Sequence, residues 1–198
     1  MAPRAHLVIM ARAPRLGTVK RRLARDVGAL RAWRFYHHTA GAIARRLSGD
    51  PRWRTWLAIT PDRWARHSPW PVAAEVIPQG GGDLGARMDR VFAALPPGPV
   101  VIVGTDAPDL RAAHVAHAVK SLGDHDWVFG PAEDGGYWLI GARRRPTYRN
   151  PFAGVRWSSA HALADTVANL AGAQIAFLQK LADIDTGADL ARYRRRTL

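Results

Sequence analysis

The chain has no cysteine and only three lysines, Lys20, Lys120 and Lys180, among its 198 residues. The first absence excludes a disulfide framework and thiolate metal sites, and suits a cytoplasmic protein. No uncharged apolar run reaches the ~18 residues needed to cross a bilayer, so no membrane contact is expected. The opening MAPRAHLVIMARAPR has too short an apolar core for a secretion signal and passes straight into patterned structure. Missing too are a helix-turn-helix pattern, an RNA-binding aromatic motif, zinc-finger spacing and any H-x-x-x-H pair, and the loop after the first strand, with Gly17 as its one glycine, is neither a Walker GK[ST] loop nor a G-x-G-x-x-G fingerprint. What is present is a basic, strongly apolar chain with a formal charge of +13, 47% hydrophobic residues and eight tryptophans. Such a charge admits a non-catalytic nucleic-acid binder. Arginine carries it, however, dispersed apart from Arg12–Arg25, Arg143–Arg145 and the tail RYRRRTL, and alongside much alanine and proline. That composition is the mark of a GC-rich genome. The length suits a single domain, residues 1–198, burying about two thirds of its unfolded surface.

Apolar runs alternate with helical segments. HLVIMA (6–11), RWRTWLAIT (52–60), VAAEVIP (72–78), PVVIVGT (99–105), DWVFGPA (126–132), GGYWLIGA (135–142) and QIAFLQ (174–179) read as strands. Helices are expected from Lys20, through LRAWRFYHHTAGAIARRL, and over GGGDLGARMDRVFAAL, RAAHVAHAVKSL, the serine-capped SSAHALADTVANLAG, and GADLARYRRR. This alternation predicts a three-layer α/β architecture with a largely parallel sheet, whose ligands gather beyond the carboxyl ends of the strands.

VIVGTDAPDL sets Asp106 where a run typical of a doubly buried strand ends. An aspartate there either caps a turn or binds a divalent cation. Asp109, directly before a helix, fits capping. A second cluster, DIDTGADL, alternates Asp183 and Asp185 on an extended segment, after which Thr186 can cap the helix carrying Asp189. Magnesium takes few protein carboxylates plus substrate phosphate, so one aspartate from each cluster suffices. Charge for that phosphate stands in ARAPRLGTVKRRLAR, with Arg12, Arg15, Lys20, Arg21, Arg22 and Arg25 around a helix start. The same residues also suit a solvated basic helix face.

Taken in order, ARAPRLGTVKRRL, QGGGDLGARM, GTDAPDL, GPAEDGGYWLIG, FAGVRWSS and DIDTGADL resemble a bacterial family of small glycosyltransferase-A-like, nucleotide-diphospho-sugar transferase proteins. That family is related to the nucleotidyltransferases of molybdenum-cofactor and coenzyme F420 synthesis, and some members are described as arsenosugar biosynthesis glycosyltransferases. The likeness spans nearly the whole chain, and GPAEDGGYWLIG is its most specific element. One departure is visible: the family usually reads Lys-Thr-Arg-Leu where this chain has Lys20-Arg21-Arg22-Leu23.

The resemblance implies a Rossmann-like, mostly parallel sheet, with nucleotide over its N-terminal half and acceptor over its C-terminal half. Asp106 and Asp185 would hold Mg²⁺ or Mn²⁺, and Arg12, Lys20 and Arg22 would neutralise a leaving diphosphate. Gln79, Asp83 and Arg87 would read a base or ribose, unless their glycine-rich segment is an ordinary turn. Glu133 and Asp134, with Gly135 and Gly136 bringing the backbone close, stand where an acceptor would bind, and Asp134 is the candidate general base. Tyr137 and Trp138 should face opposite ways, leaving one to flank the site, and Trp157 is either a sugar platform or a packing residue. The implied activity is metal-dependent transfer of a sugar from a nucleotide-diphosphate sugar to a small acceptor, in a single displacement. The alternative is a nucleotidyltransferase that joins a nucleoside triphosphate to a phosphorylated metabolite and releases pyrophosphate.

Overall fold

The computed structural model describes residues 4–66, 68–144 and 148–197. Its strands are β1 (Ala5–Arg12), β2 (Trp53–Thr60), β3 (Glu75–Pro78), β4 (Val100–Val103), β5 (Trp127–Pro131), β6 (Tyr137–Ala142) and β7 (Ile175–Phe177). They form one sheet in the order β3, β2, β1, β4, β6, β5, β7, in which β6 alone runs antiparallel to its neighbours. Between them lie α1 (Arg21–Val27), α2 (Ala29–Leu47), α3 (Leu84–Ala94), α4 (Ala112–Ser121), α5 (Ala162–Ala168) and α6 (Gly187–Thr197).

Side chains alternate across β1, so Leu7 and Ile9 face one helical layer and Val8 the other. On the first face Ile43 and Leu47 of α2 and Val115 of α4 cover the sheet. On the second, Met88, Val91 and Phe92 of α3 pack over Val8, Ile102 and Ile140, with Leu163 and Val167 of α5 partly buried beside them. A smaller cluster, Leu23, Ala32, Ile184 and Leu190, joins α1, α2 and α6. The three-layer, mostly parallel architecture is therefore what the alternation predicts. From β1 the chain runs outward to β2 and β3, then returns to β4 on the other side of β1. The crevice at the carboxyl ends of β1 and β4 is thus the switch point at which open α/β sheets hold ligands.

Several local expectations give way. β3 is an edge strand limited to the four residues that pair with Trp56–Ile59. The serines at 158 and 159 do not open α5, because Ser158 adopts φ 58° and the Ser159 hydroxyl accepts the His161 N–H at 3.2 Å, forming a turn ahead of Ala162. Asp109 does not cap α4, which is preceded by Arg111; its carboxylate pairs with Arg196 of α6 instead. Thr186 does cap α6, accepting the Asp189 N–H at 3.2 Å while donating its own N–H to Asp189 Oδ2 at 2.8 Å. Among the described residues, no helix is long and apolar enough to cross a membrane.

Candidate active site

The exit from β1 is fixed by Tyr36 of α2, whose hydroxyl donates to the Arg12 carbonyl and accepts the Arg12 N–H, each at 2.8 Å. Burial lifts this phenol to about 12, so it keeps the proton it donates. Lys20 closes the loop that follows, in the left-handed conformation with φ 46°. Its Nζ lies 2.6 Å from Asp106 Oδ1 and 2.7 Å from Asp185 Oδ1, with the lysine side chain only 5% exposed. Burial by itself would lower the Lys20 pKa, but the charges of Asp106 and Asp185 outweigh it and hold the ammonium above its ordinary value. The two aspartates come together because the Ile184 N–H donates to the Asp106 carbonyl at 3.1 Å, stitching the 183–186 segment to the end of β4. Asp189 then holds the Asp185 N–H at 3.2 Å.

Two cavities meet at this carboxylate pair. One, of about 430 Å³, lies over the ends of β1 and β2 and is lined by Arg12, Lys20, Arg21, Arg22 and Arg87 as well as the two aspartates. The other, of about 450 Å³, lies toward β6 and is lined by Asp134, Asp183, Tyr137, Trp138, Trp157 and the serines 158 and 159. Arg22, Leu84, Asp106 and Asp185 border both. The first cavity is therefore rich in cations. In the second, four carboxylates face a single arginine. Burial and then the neighbouring charge of Asp134 raise the Asp183 carboxyl to about 6, with Asp185 adding to the effect and Lys20 opposing it.

The remaining candidates divide between ligand-facing and structural positions. Arg12, Lys20, Arg22 and Arg87 line the cationic cavity, and Arg87 is steadied by the Gly82 carbonyl at 3.0 Å. Gln79 borders it too, but is buried with its amide nitrogen donating to the Ala11 and Ala58 carbonyls at 3.1 and 2.8 Å. Its role as a polar reader is corrected accordingly: the donor clamps β1 to β2. Replacing it with leucine removes two buried hydrogen bonds and is expected to cost ~1–3 kcal/mol in urea unfolding, with an unchanged slope against denaturant. Asp83 is likewise structural, capping α3 by accepting the Ala86 N–H at 2.8 Å, and lies outside both linings.

Glu133 also lies outside the acidic cavity while Asp134 lines it, as expected of neighbours that diverge. Gly136 lines it and donates its N–H to Asp134 Oδ1 at 2.9 Å, which orients that carboxylate. Gly135 has φ 84° and sits so close to Ala160 that any Cβ would strike its carbonyl, so the 132–136 turn can approach the 158–160 turn only with glycine there. Tyr137 and Trp138 do face opposite layers, yet both border the cavity, which corrects the expectation that only one would. Trp157 is both lining and packed: a Cβ on Gly85 would lie 2.7 Å from its ring, so the glycine of α3 makes room for the indole.

Sequence reasoning left Asp183 without a role, although its spacing from Asp185 on an extended segment is the signal that both face one way. It also read Ser158 and Ser159 as helix caps, where the structure puts them on the cavity wall. Among the described residues, no three His, Asp or Glu side chains are placed to hold one metal ion. Two carboxylate oxygens nevertheless converge on a single ammonium at 2.6 and 2.7 Å, so the pair is arranged around one cation. Two carboxylates, with other positions left to water and phosphate, fit Mg²⁺ or Mn²⁺.

Residues 43–159 match the model of a family described as "Uncharacterized protein conserved in bacteria (DUF2064)", and the chain belongs to that family. Its fold is similar to that of a Desulfovibrio desulfuricans G20 protein provisionally described as a nucleotide-diphospho-sugar transferase, with 28% identity and a TM-score of 0.85 over 98% of this chain and 87% of that one. The fold is shared more distantly with the 4-diphosphocytidyl-2C-methyl-D-erythritol synthase of Anaerococcus prevotii, at 10% identity and a TM-score of 0.59 over 98% of each chain. It is shared also with the manganese complex of Rv0371c from Mycobacterium tuberculosis H37Rv, at 15% identity and a TM-score of 0.53 over 97% of this chain and 98% of that one. No protein of curated function matches the sequence.

Proposed function

We propose that this protein is a transferase that moves a sugar from a nucleotide-diphosphate sugar to a small acceptor, with the whole chain acting as one domain. The observation that carries the reading is the division of charge on either side of Asp106 and Asp185, cationic toward β1 and acidic toward β6. Arg12, Lys20 and Arg22 grip the diphosphate of the donor in the first cavity, and Arg87 reaches its nucleoside end. Held by Asp106 and Asp185, Mg²⁺ or Mn²⁺ would neutralise charge on the diphosphate. Asp134 receives the proton of the acceptor hydroxyl as that oxygen bonds to the anomeric carbon of the sugar. The bond from that carbon to the diphosphate breaks, its electron pair leaving with the diphosphate, whose charge the arginines and Lys20 stabilise.

The likeness to the cytidylyltransferase-type synthase keeps nucleotidyl transfer in view. A phosphorylated metabolite, however, would bring its anion among Asp134, Asp183, Asp106 and Asp185 with Arg22 as the one cation of the lining. A nucleic-acid binder would leave both cavities without an occupant. A thermal-shift screen of nucleotides and nucleotide sugars, with and without Mn²⁺, tests the reading, because a ligand of the native state raises the melting temperature. Stabilisation by a nucleoside diphosphate sugar is expected. Stabilisation by triphosphates alone, with pyrophosphate released on adding a phosphorylated metabolite, would establish nucleotidyl transfer instead.

Asp134→Asn should leave donor binding intact and slow single-turnover transfer by ~10²- to 10⁴-fold, the usual range for loss of a general base. Glu133→Gln, outside the cavity, should be milder. Transfer at the wild-type rate in Asp134→Asn would remove Asp134 from the chemistry.

A further inference from the structure

We infer that the acceptor carries an ammonium group close to its nucleophilic hydroxyl, as an amino sugar or amino alcohol does, and that Asp183 is the counter-charge for it. The inference rests on the transferase reading and names the substrate class of its second cavity. Asp134 and Asp183 line that cavity, and among the described residues neither has a cationic side chain within 4.0 Å. Partners were not scarce, since the chain has 29 lysines and arginines against 16 acidic residues. Lys20, buried beneath the cavity mouth at 5% exposure, pairs with Asp106 and Asp185, and Arg22 leans to Asp185 at 3.6 Å.

Asp134 is exposed and accepts the Gly136 N–H, but Asp183 is half-buried and, among the described residues, has no cationic partner, a cost that a ligand cation relieves where a neutral polyol does not. The space is larger than an ion needs: about 450 Å³ fits a small organic molecule. Its wall adds three aromatic rings, Tyr137, Trp138 and Trp157, and aromatic faces attract organic cations in addition to stacking on sugars. Carboxylate and aromatic surface together select an ammonium-bearing molecule and repel a phosphorylated one.

The test uses three sugars of one shape and different charge, glucosamine, glucose and glucose 6-phosphate. Each is titrated calorimetrically into the full chain, alone and with Mn²⁺ and GDP or UDP present. Glucosamine should bind about tenfold or more tightly than glucose, and glucose 6-phosphate not measurably. Asp183→Asn should abolish the preference for glucosamine while leaving glucose binding unchanged. Should that variant fail to fold by circular dichroism, Asp134→Asn, which removes charge from the same cavity, should reduce the preference. Equal affinities, no binding by any of the three, tightest binding of glucose 6-phosphate, or a preference that survives both substitutions overturns the inference. Failure of the transferase reading registers separately, as absence of Mn²⁺-dependent binding of GDP and UDP whatever the sugars do.

Discussion

Asp106→Asn and Asp185→Asn should each lose metal-dependent nucleotide binding, by roughly 10²-fold or more, while the protein still folds. Both substitutions keep the size and shape of the side chain and remove one of the two charges that would hold Mg²⁺ or Mn²⁺ on the proposed reading. Folding should survive because neither carboxylate is deeply buried, with side-chain exposures of 55% and 36%, and because Lys20 keeps one partner in each variant. The segment that carries Asp185 is also held independently, through the Ile184 N–H on the Asp106 carbonyl and through Asp189. Thermal shift with each nucleotide, with and without Mn²⁺, gives the comparison. A variant whose nucleotide binding keeps the metal dependence of the wild type identifies a residue that is not a ligand.

Lys20→Met should change two affinities in opposite directions. In the nucleotide-free protein the ammonium occupies the point on which Asp106 and Asp185 converge, so a divalent cation must first displace it. Removing the ammonium should tighten binding of Mn²⁺ alone by about tenfold, since competing positive charge a few ångströms away is costly in a partly desolvated site. Binding of a nucleoside diphosphate should weaken by roughly 10²-fold, because the displaced ammonium no longer moves to the phosphates. The bare nucleoside should be nearly unaffected. Arg22→Ala should follow the same phosphate selectivity more weakly, as its side chain is 66% exposed and its charge is screened by water. Titrating Mn²⁺ by electron paramagnetic resonance measures the first effect. If Mn²⁺ alone binds Lys20→Met more weakly than the wild type, the lysine does not stand in the place of the metal.

The strand and helix plan was legible because it is written locally: β1 reads as an unbroken apolar run with alternate residues feeding two layers, and α3 as a helix led by glycines, although the capping role of Asp83 was not read. The position of Asp106 at a strand end was legible for the same reason. What could not be read is which distant groups each polar side chain meets. Gln79 looks like a ligand reader in a glycine-rich segment, and only the packing of β1 against β2 reveals that its amide serves two carbonyls. Lys20 looks like a free phosphate cation until the 183–186 segment is laid against β4. Ser158 and Ser159 carry a strong local signal for a cap, which the φ 58° turn and its contact with Gly135 override.

The reversed direction of β6 has an evolutionary consequence. Because β5 and β6 form a hairpin, the 132–136 turn enters and leaves the site within the sheet, without a helix that must be repacked when its length changes. The turn supplies Asp134 to the acidic cavity and nothing to the lining of the cationic one. On the proposed reading, substitutions at its tip would therefore alter acceptor choice while the nucleotide half stays untouched.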